Sequence, residues 1–403
     1  MNKEQIGIIN DNSLADIEFR MTWKSKDGVH TDTTMVMVNF WRDILPDPVS
    51  KALSGARAGD RHTFYFLAGK WIPDYSDAAR YRLKRSDFNE KMAPPAFGRF
   101  YPKGILSGLP NIFPQNMAPF RCTGVDESSV TVDMNHPLSG YDIELTTIVH
   151  KIYDKPFDRG GNCRELAEAV ASGPGIQARY KGIPTDFSIP GAFSRTDEAP
   201  DSRFYEKPRL VNHIDDQAIG TISGLYGQLI TADMTVLDLM SSWRSHLPSG
   251  IKPRKLVGLG MNKAEMGENP QLDESVVHDL NENPHIPFAD GAFDGVICTV
   301  SVEYLIKPNT VFDDIARILK PGGILIHTFS NRWFPPKAIR LWTQLHEFER
   351  LGLVQEYFIR SGQFEGINTF SARGWDRPET DKYFPDMPQS DPVFAVWGTK
   401  KRS

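Results

Sequence analysis

Side chains able to do chemistry gather at the ends of five apolar runs in the later half of the chain. Asp238, Ser241, Ser242, Trp243 and Arg244 stand at and after the end of Thr235–Met240. Met261 and Asn262 follow Lys255–Gly260, and Ser275–Asp279 closes on an acid with Leu280 and Asn281 next. Gly295–Val300 ends in Thr299 and leads into Ser301, Glu303 and Tyr304. Gly323–Phe329 leads into Asn331, Arg332, Trp333 and Phe334. Small hydroxyls, amides and isolated carboxylates in such places can trade hydrogen bonds with the amino and hydroxyl groups of a polar ligand. Upstream, Tyr205 and Arg209 offer charge-assisted bonds to a carboxylate. His213, whose ordinary pKa lies near neutrality, is the first choice for moving a proton, with Glu303 and Tyr304 behind it. No Gly-x-Gly-x-x-Gly is present, which argues against a dinucleotide cofactor.

These residues need a sheet to bring them together. The five runs are short, apolar and bounded by turns. The first four start at 235, 255, 275 and 295, an even spacing that predicts βαβ units and a mostly parallel sheet flanked by helices. In such a sheet the ligand lies beyond the carboxyl ends of the strands, where the polar residues cluster. Asn309–Lys320 carries one apolar stripe (Val311, Phe312, Ile315, Ile318 and Leu319), with Asn309 as its N-cap and Pro321-Gly322-Gly323 as its stop. The segment FYEKPRLVNHIDDQAI is expected to form a leading helix, with Arg209 and His213 on one face. Pro392–Trp397 is expected as the edge strand.

The first half has another texture. Leu14–Trp23, Thr34–Trp41, Arg61–Leu67, Ser129–Met134 and Ile143–Ile152 alternate apolar and polar residues, as half-buried strands do. Between Lys91 and Gly124 lies a loop dense in proline and aromatics. The expected division is a first domain at 1–155, a connector at 156–203 with a short helix at Cys163–Val170, and a second domain at 204–403.

Composition narrows the class. A chain of 403 residues, 40% hydrophobic and 24% charged, is long enough for two or three buried cores. A formal charge of -5 argues against nucleic acid as main partner. No apolar run reaches membrane-spanning length, and the start MNKEQIGIIN lacks a secretory stretch. The expectation is a cytoplasmic protein with no membrane partner. Three scattered cysteines without CxxC spacing read as free thiols, and no metal site is expected.

The later half, Phe204 to Thr399, resembles the class I S-adenosylmethionine-dependent methyltransferases, most specifically in IPFADGAFDGVICTVSVEYL and FDDIARILKPGGILIHTF. The resemblance implies an α/β Rossmann-like domain with S-adenosyl-L-methionine as cofactor. Asp279 would accept from the adenine amino group, with Leu280 or Asn281 as backbone donor. Asp238, Ser241, Ser242 and Thr299 would line the cofactor, and Tyr205 and Arg209 would hold its methionine carboxylate. Two features depart from the family. VLDLMSSWRSHLP has no glycine in the first turn, where Ser241 and Ser242 must present amides and hydroxyls. GLGMNKAEM lacks the acid that takes the ribose, leaving Asn262 for that task. Asn331, Arg332 and Trp333 would line the pocket of a small-molecule acceptor, for which a small thiol is attractive. The alternative is a catalytically silent binding or chaperone-like protein on the same scaffold.

DGVHTDTTM, SKALSGARAGDRHTFYFLAG and VDMNHPLSGYDIELTTIVHKI resemble the SlyD kind of FKBP-type peptidyl-prolyl isomerases. The resemblance covers Leu14–Asp154 and implies an α+β domain with Asp32, Phe66 and Tyr75 at groove positions. Leu145 stands where the closing strand should supply a groove aromatic. That loss favours a domain used for protein contact or homodimerisation over an active isomerase.

Overall fold

The computed structural model describes residues 7–154 and 161–402, so the first residues of the expected connector, 156–160, lie outside the described residues. The early part opens with a long antiparallel hairpin, β1 (Ser13–Ser25) and β2 (Gly28–Asn39), in which Leu14 faces Asn39 and Ser25 faces Gly28. Strict alternation puts Ala15, Ile17, Phe19, Met21 and Trp23 on the buried face of β1. A short helix α1 (Asp47–Leu53) leads to β3 (Arg61–Phe66). β4 (Arg80–Lys84), β5 (Phe100–Pro102), β6 (Pro119–Val125) and β7 (Ser129–Asp133) form a separate four-stranded sheet. The chain then returns through β8 (Ile143–Asp154), which lies between β1 and β3.

Helices α2 (Leu166–Val170) and α3 (Asp201–Phe204) are short, and α4 (Asp216–Leu229) is the first long one. Alternation of strand and helix follows: β9 (Thr235–Leu239), β10 (Lys255–Gly260), α5 (Lys263–Gly267), β11 (Glu274–Val277), β12 (Phe293–Thr299), α6 (Pro308–Ile318) and β13 (Leu319–Phe329). α7 (Arg340–Gln344), α8 (Glu347–Ser361), β14 (Phe364–Arg373) and β15 (Val393–Lys400) complete the chain.

Strands from both halves join in one eleven-stranded sheet. Its order is β11-β10-β9-β12-β13-β15-β14-β2-β1-β8-β3. The five strands from β11 to β13 are parallel, as the spacing predicts, and β15 runs antiparallel to both of its neighbours, β13 and β14. β14 then pairs in parallel with β2, from Asn368–Val29 to Arg373–Thr34. This corrects two expectations. β15 lies inside the sheet, because β14, which sequence reading missed, covers its outer side. The stretch expected as a polar connector sends Ile176, Phe187, Ile189 and Ala192 into the core of the parallel part, where Ala96 and Phe100 from the first half join them. The helix expected at 309–320 runs Pro308–Ile318, with no side-chain cap from Asn309. Leu319 and Lys320 already belong to β13.

Candidate functional site

One cavity, of about 130 Å3, opens at the carboxyl ends of β9, β10, β11 and β12. Its lining includes Tyr205, Arg209, His213, Asp238, Ser241, Ser242, Asn262, Asp279, Leu280, Asn281, Thr299 and Tyr304. The sheet therefore assembles residues spread from 205 to 304 around one space.

The turn after β9 does without glycine at a cost in backbone strain. Met240 takes a φ of 59°, the left-handed region that glycine occupies freely. After β12, β-branched Val300 sits at a φ of 42° on the same cavity wall. Strain of this kind, of order ~1–3 kcal/mol per residue, persists only where surrounding contacts impose it. Here the contacts are visible. The buried Asp238 carboxylate accepts from Ser241 Oγ at 2.6 Å and Ser245 Oγ at 2.7 Å, and Ser241 N donates to Leu259 O at 2.8 Å. Burial pushes the Asp238 carboxyl up to about 6, against the two serine hydroxyls that favour its charge. Gly260 is required because a Cβ there would strike the Ser241 carbonyl oxygen as the turn crosses it.

Several expected roles change. Ser241 and Ser242 line the cavity, but their hydroxyl protons are spent within the wall, on Asp238 Oδ2 at 2.6 Å and on Glu265 Oε2 at 2.6 Å. Asn262 is also committed. Its Oδ1 caps α5 by accepting from Ala264 N at 2.9 Å and Glu265 N at 3.0 Å, and its Nδ2 donates to Tyr205 O at 2.8 Å. Glu265, which sequence reading missed inside GLGMNKAEM, is the acid on this wall. It also accepts from Arg209 N at 2.7 Å.

Residues 205–214 are not helical. Pro208 brings no N–H, and the helix begins only where Asp215 caps α4 by accepting from Ala218 N at 2.9 Å. The segment instead crosses the cavity as a strap. Asn262 holds the Tyr205 carbonyl, Glu265 holds the Arg209 amide, and Trp243 Nε1 donates to Val211 O at 3.1 Å. The Trp243 indole is thus a wall of the cavity. Arg209 stacks over Phe204 at 4.5 Å and donates to Phe204 O at 2.9 Å. Burial pushes the Tyr205 phenol well up.

On the opposite wall, Asp279 Oδ1 accepts from Asn281 N at 2.8 Å, which removes Asn281 as a backbone donor. Asp279 Oδ2 and the Leu280 amide take no bond from the described residues. The Asn281 side chain staples three segments, donating to Asp201 Oδ2 at 2.8 Å and Tyr304 O at 2.9 Å and accepting from Ile306 N at 3.0 Å. Thr299 Oγ1 lies 2.6 Å from the Tyr226 hydroxyl.

A second cavity, of about 410 Å3, adjoins the first. His213, Val300, Tyr304 and Phe334 line both. Asn331, Arg332, Trp333, Lys382 and Tyr383 line only the second of the two. His213 packs edge-on against Phe334 at 5.0 Å, and burial holds its pKa below the usual 6.5. The Tyr304 hydroxyl accepts from Phe334 N at 2.8 Å, and burial raises its pKa far up. Glu303 does not face the mouth. It is fully buried outside both linings, and burial raises its carboxyl to about 8. The Asn331 amide is held on both sides, by Glu347 at 2.6 Å and Arg350 at 2.8 Å, and Arg350 stacks over Trp333 at 4.4 Å. Among the described residues, no group of three or more His, Cys, Asp or Glu could hold a metal ion, and no helix is long and apolar enough to cross a membrane.

Residues 259–327 match the family model described as "Methyltransferase domain". Among solved structures, the complex of the Haloferax volcanii Trm112 methyltransferase activator with a methyltransferase is similar at 17% identity and TM-score 0.34, covering 46% of this chain and 92% of the other. A Thermotoga maritima S-adenosylmethionine-dependent methyltransferase is similar at 16% identity and TM-score 0.33, covering 45% and 89%. One from Mesorhizobium loti is similar at 15% identity and TM-score 0.29, covering 44% and 96%. A comparison with the curated proteins finds none that matches this chain. The C-terminal region of the chain is thus similar to a methyltransferase domain over residues 259–327.

Proposed function

We propose that the chain transfers a methyl group from S-adenosylmethionine, held in the first cavity, to a small acceptor that enters through the second. The observation that carries this reading is the shared wall. His213, Val300, Tyr304 and Phe334 border both spaces, so groups bound in the two cavities meet there.

The residues of the first cavity fit the cofactor. Asp279 Oδ2 and the Leu280 amide, an acceptor and a donor side by side, suit the amino group and a ring nitrogen of adenine. Glu265 supplies the carboxylate for ribose hydroxyls that Asn262 cannot, and Arg209 offers a cation to the methionine carboxylate. The cofactor supplies an activated methyl group on a cationic sulfur. The chain's residues need provide no acid for the leaving group. Their work is to align acceptor with donor and exclude water, which accounts for much of the barrier reduction in such displacements.

His213 is the base on the shared wall. Its depressed pKa keeps the imidazole neutral at neutral pH, able to accept a proton at a ring nitrogen. A base this weak suits an acceptor that ionises easily, which supports a small thiol. Glu303 and Tyr304 are less suited to the task, since Glu303 is buried outside both linings and the Tyr304 phenol, raised by burial, stays protonated at neutral pH.

For the first half we propose a contact role. Asp32 is wholly buried and accepts from Ser371 Oγ at 2.6 Å and Arg373 Nη2 at 3.0 Å, so it offers nothing to a prolyl peptide. Leu145 is core, and Tyr75 pairs with Tyr180 at 3.2 Å. Phe66 packs against Trp71 at 5.4 Å.

Calorimetric titration of the full chain with S-adenosylhomocysteine tests the donor site. Binding in the micromolar range is expected, and Asp279→Ala should weaken it at least tenfold. Absence of heat from the unaltered chain would favour the silent scaffold. Normal binding by Asp279→Ala would overturn the adenine assignment.

A further inference from the structure

We propose that the second cavity recognises its ligand through an anionic group held between Arg332 and Lys382, so that the acceptor is a small organic anion with a flat apolar body. The inference rests on the methyltransferase reading and names the chemistry of the acceptor.

The charges on this cavity are one-sided. Arg332 and Lys382 are lining residues, and no carboxylate is. Both cations converge on one ring: the Arg332 guanidinium lies 4.4 Å from the Tyr383 centroid, and Lys382 Nζ lies 4.9 Å from it. Two like charges gathered on one ring favour a counter-charge between them. The acid nearest Arg332 among its ion pairs is Asp391, at 3.9 Å. That carboxylate is already engaged, accepting from Arg377 Nη2 at 2.7 Å and from Asp215 N at 3.1 Å. Asp381, the neighbour of Lys382, is likewise taken by Arg377 at 3.1 Å.

The positive field reaches its surroundings. Arg332 and then Lys382 hold the Tyr383 phenol below its usual range, and both help depress His213 on the shared wall. The same cavity is lined by the flat rings of Trp333, Phe334 and Tyr304. A planar guanidinium fork beside aromatic faces suits a carboxylate or a phosphate ester on an apolar body, and disfavours a cation. An anion bound there neutralises the pair and leaves the ligand's other end toward His213.

The test titrates four small probes into the full chain saturated with S-adenosylhomocysteine: benzoate, phenyl phosphate, benzamide and benzylamine. At least one anion is expected to bind tenfold or more tightly than the neutral amide and the amine. Preference for benzoate assigns a carboxylate, and preference for phenyl phosphate assigns a phosphate ester. The double variant Arg332→Gln, Lys382→Gln should lose the preference while binding S-adenosylhomocysteine within twofold of the unaltered chain, which shows that it is folded. The proposal is overturned if neither anion binds, if the amide or amine binds equally well, or if the double variant keeps the preference. If the unaltered chain binds no S-adenosylhomocysteine, the donor site is wrong, and the same four titrations on the free chain still decide the anion preference.

Discussion

At the residue scale, one imidazole borders both spaces. Burial lowers the pKa of His213, and the cations Arg209, Lys382 and Arg332 lower it further against the opposing pull of Glu265. As a base it works only when unprotonated. Activity limited by this group therefore rises with pH through a pKa below 6.5 and is flat above it. His213→Ala should lower kcat by roughly 10²–10⁴-fold and abolish that rising limb, leaving S-adenosylhomocysteine binding intact. A pH–rate profile of both proteins checks this, and a limb that survives the substitution would assign the proton to another group. Nearby, Glu303 shows why residue type alone misleads. Its place directly after a parallel strand suggests the mouth, yet its carboxyl is enclosed and pushed to about 8.

At the element scale, the strap at 205–214 decides how the donor cavity is closed. One side chain, Asn262, both starts α5 and pins the strap through the Tyr205 carbonyl. Asn262→Ala removes an N-cap, at about 1 kcal/mol, and frees the strap at the same time. Hydrogen exchange of the 205–214 amides should accelerate at least tenfold relative to the other loops, and S-adenosylhomocysteine should bind more weakly. Unchanged exchange there would show that Glu265 and Trp243 hold the strap without Asn262. This element also marks where sequence reading stops. The parallel strands were legible because buried strands are apolar, short and evenly spaced. Most of the site residues were legible because they follow those strands. The commitments of Ser241, Ser242 and Asn262 were not, since each bonds to a group distant in sequence or set by a turn. β14 and α8 escaped notice for a related reason. Glu349, Arg350, Gln355 and Glu356 are buried on α8, so polarity there signals ion pairs and hydrogen bonds to distant segments in place of solvent.

At the scale of the whole molecule, those buried charges join the halves. Arg99 Nε donates to Glu349 Oε1 at 2.7 Å with both side chains nearly inaccessible, and Arg179 Nη2 donates to Glu356 Oε2 at 2.8 Å. Removing one member of a buried pair strands the other charge, at ~3–5 kcal/mol. Arg99→Ala should therefore lower the unfolding temperature of the full chain by several degrees while calorimetry still shows one transition. Two separated transitions in the unaltered chain would mean that the halves unfold independently.

The parallel pairing of β14 with β2 has a further consequence. Neither half owns a finished ribbon: Asn368–Arg373 would lie bare without the opening hairpin, and that hairpin would present Val29–Thr34 to any passing chain. Fragments cut between the halves would thus each carry an unpaired edge that templates pairing with other chains.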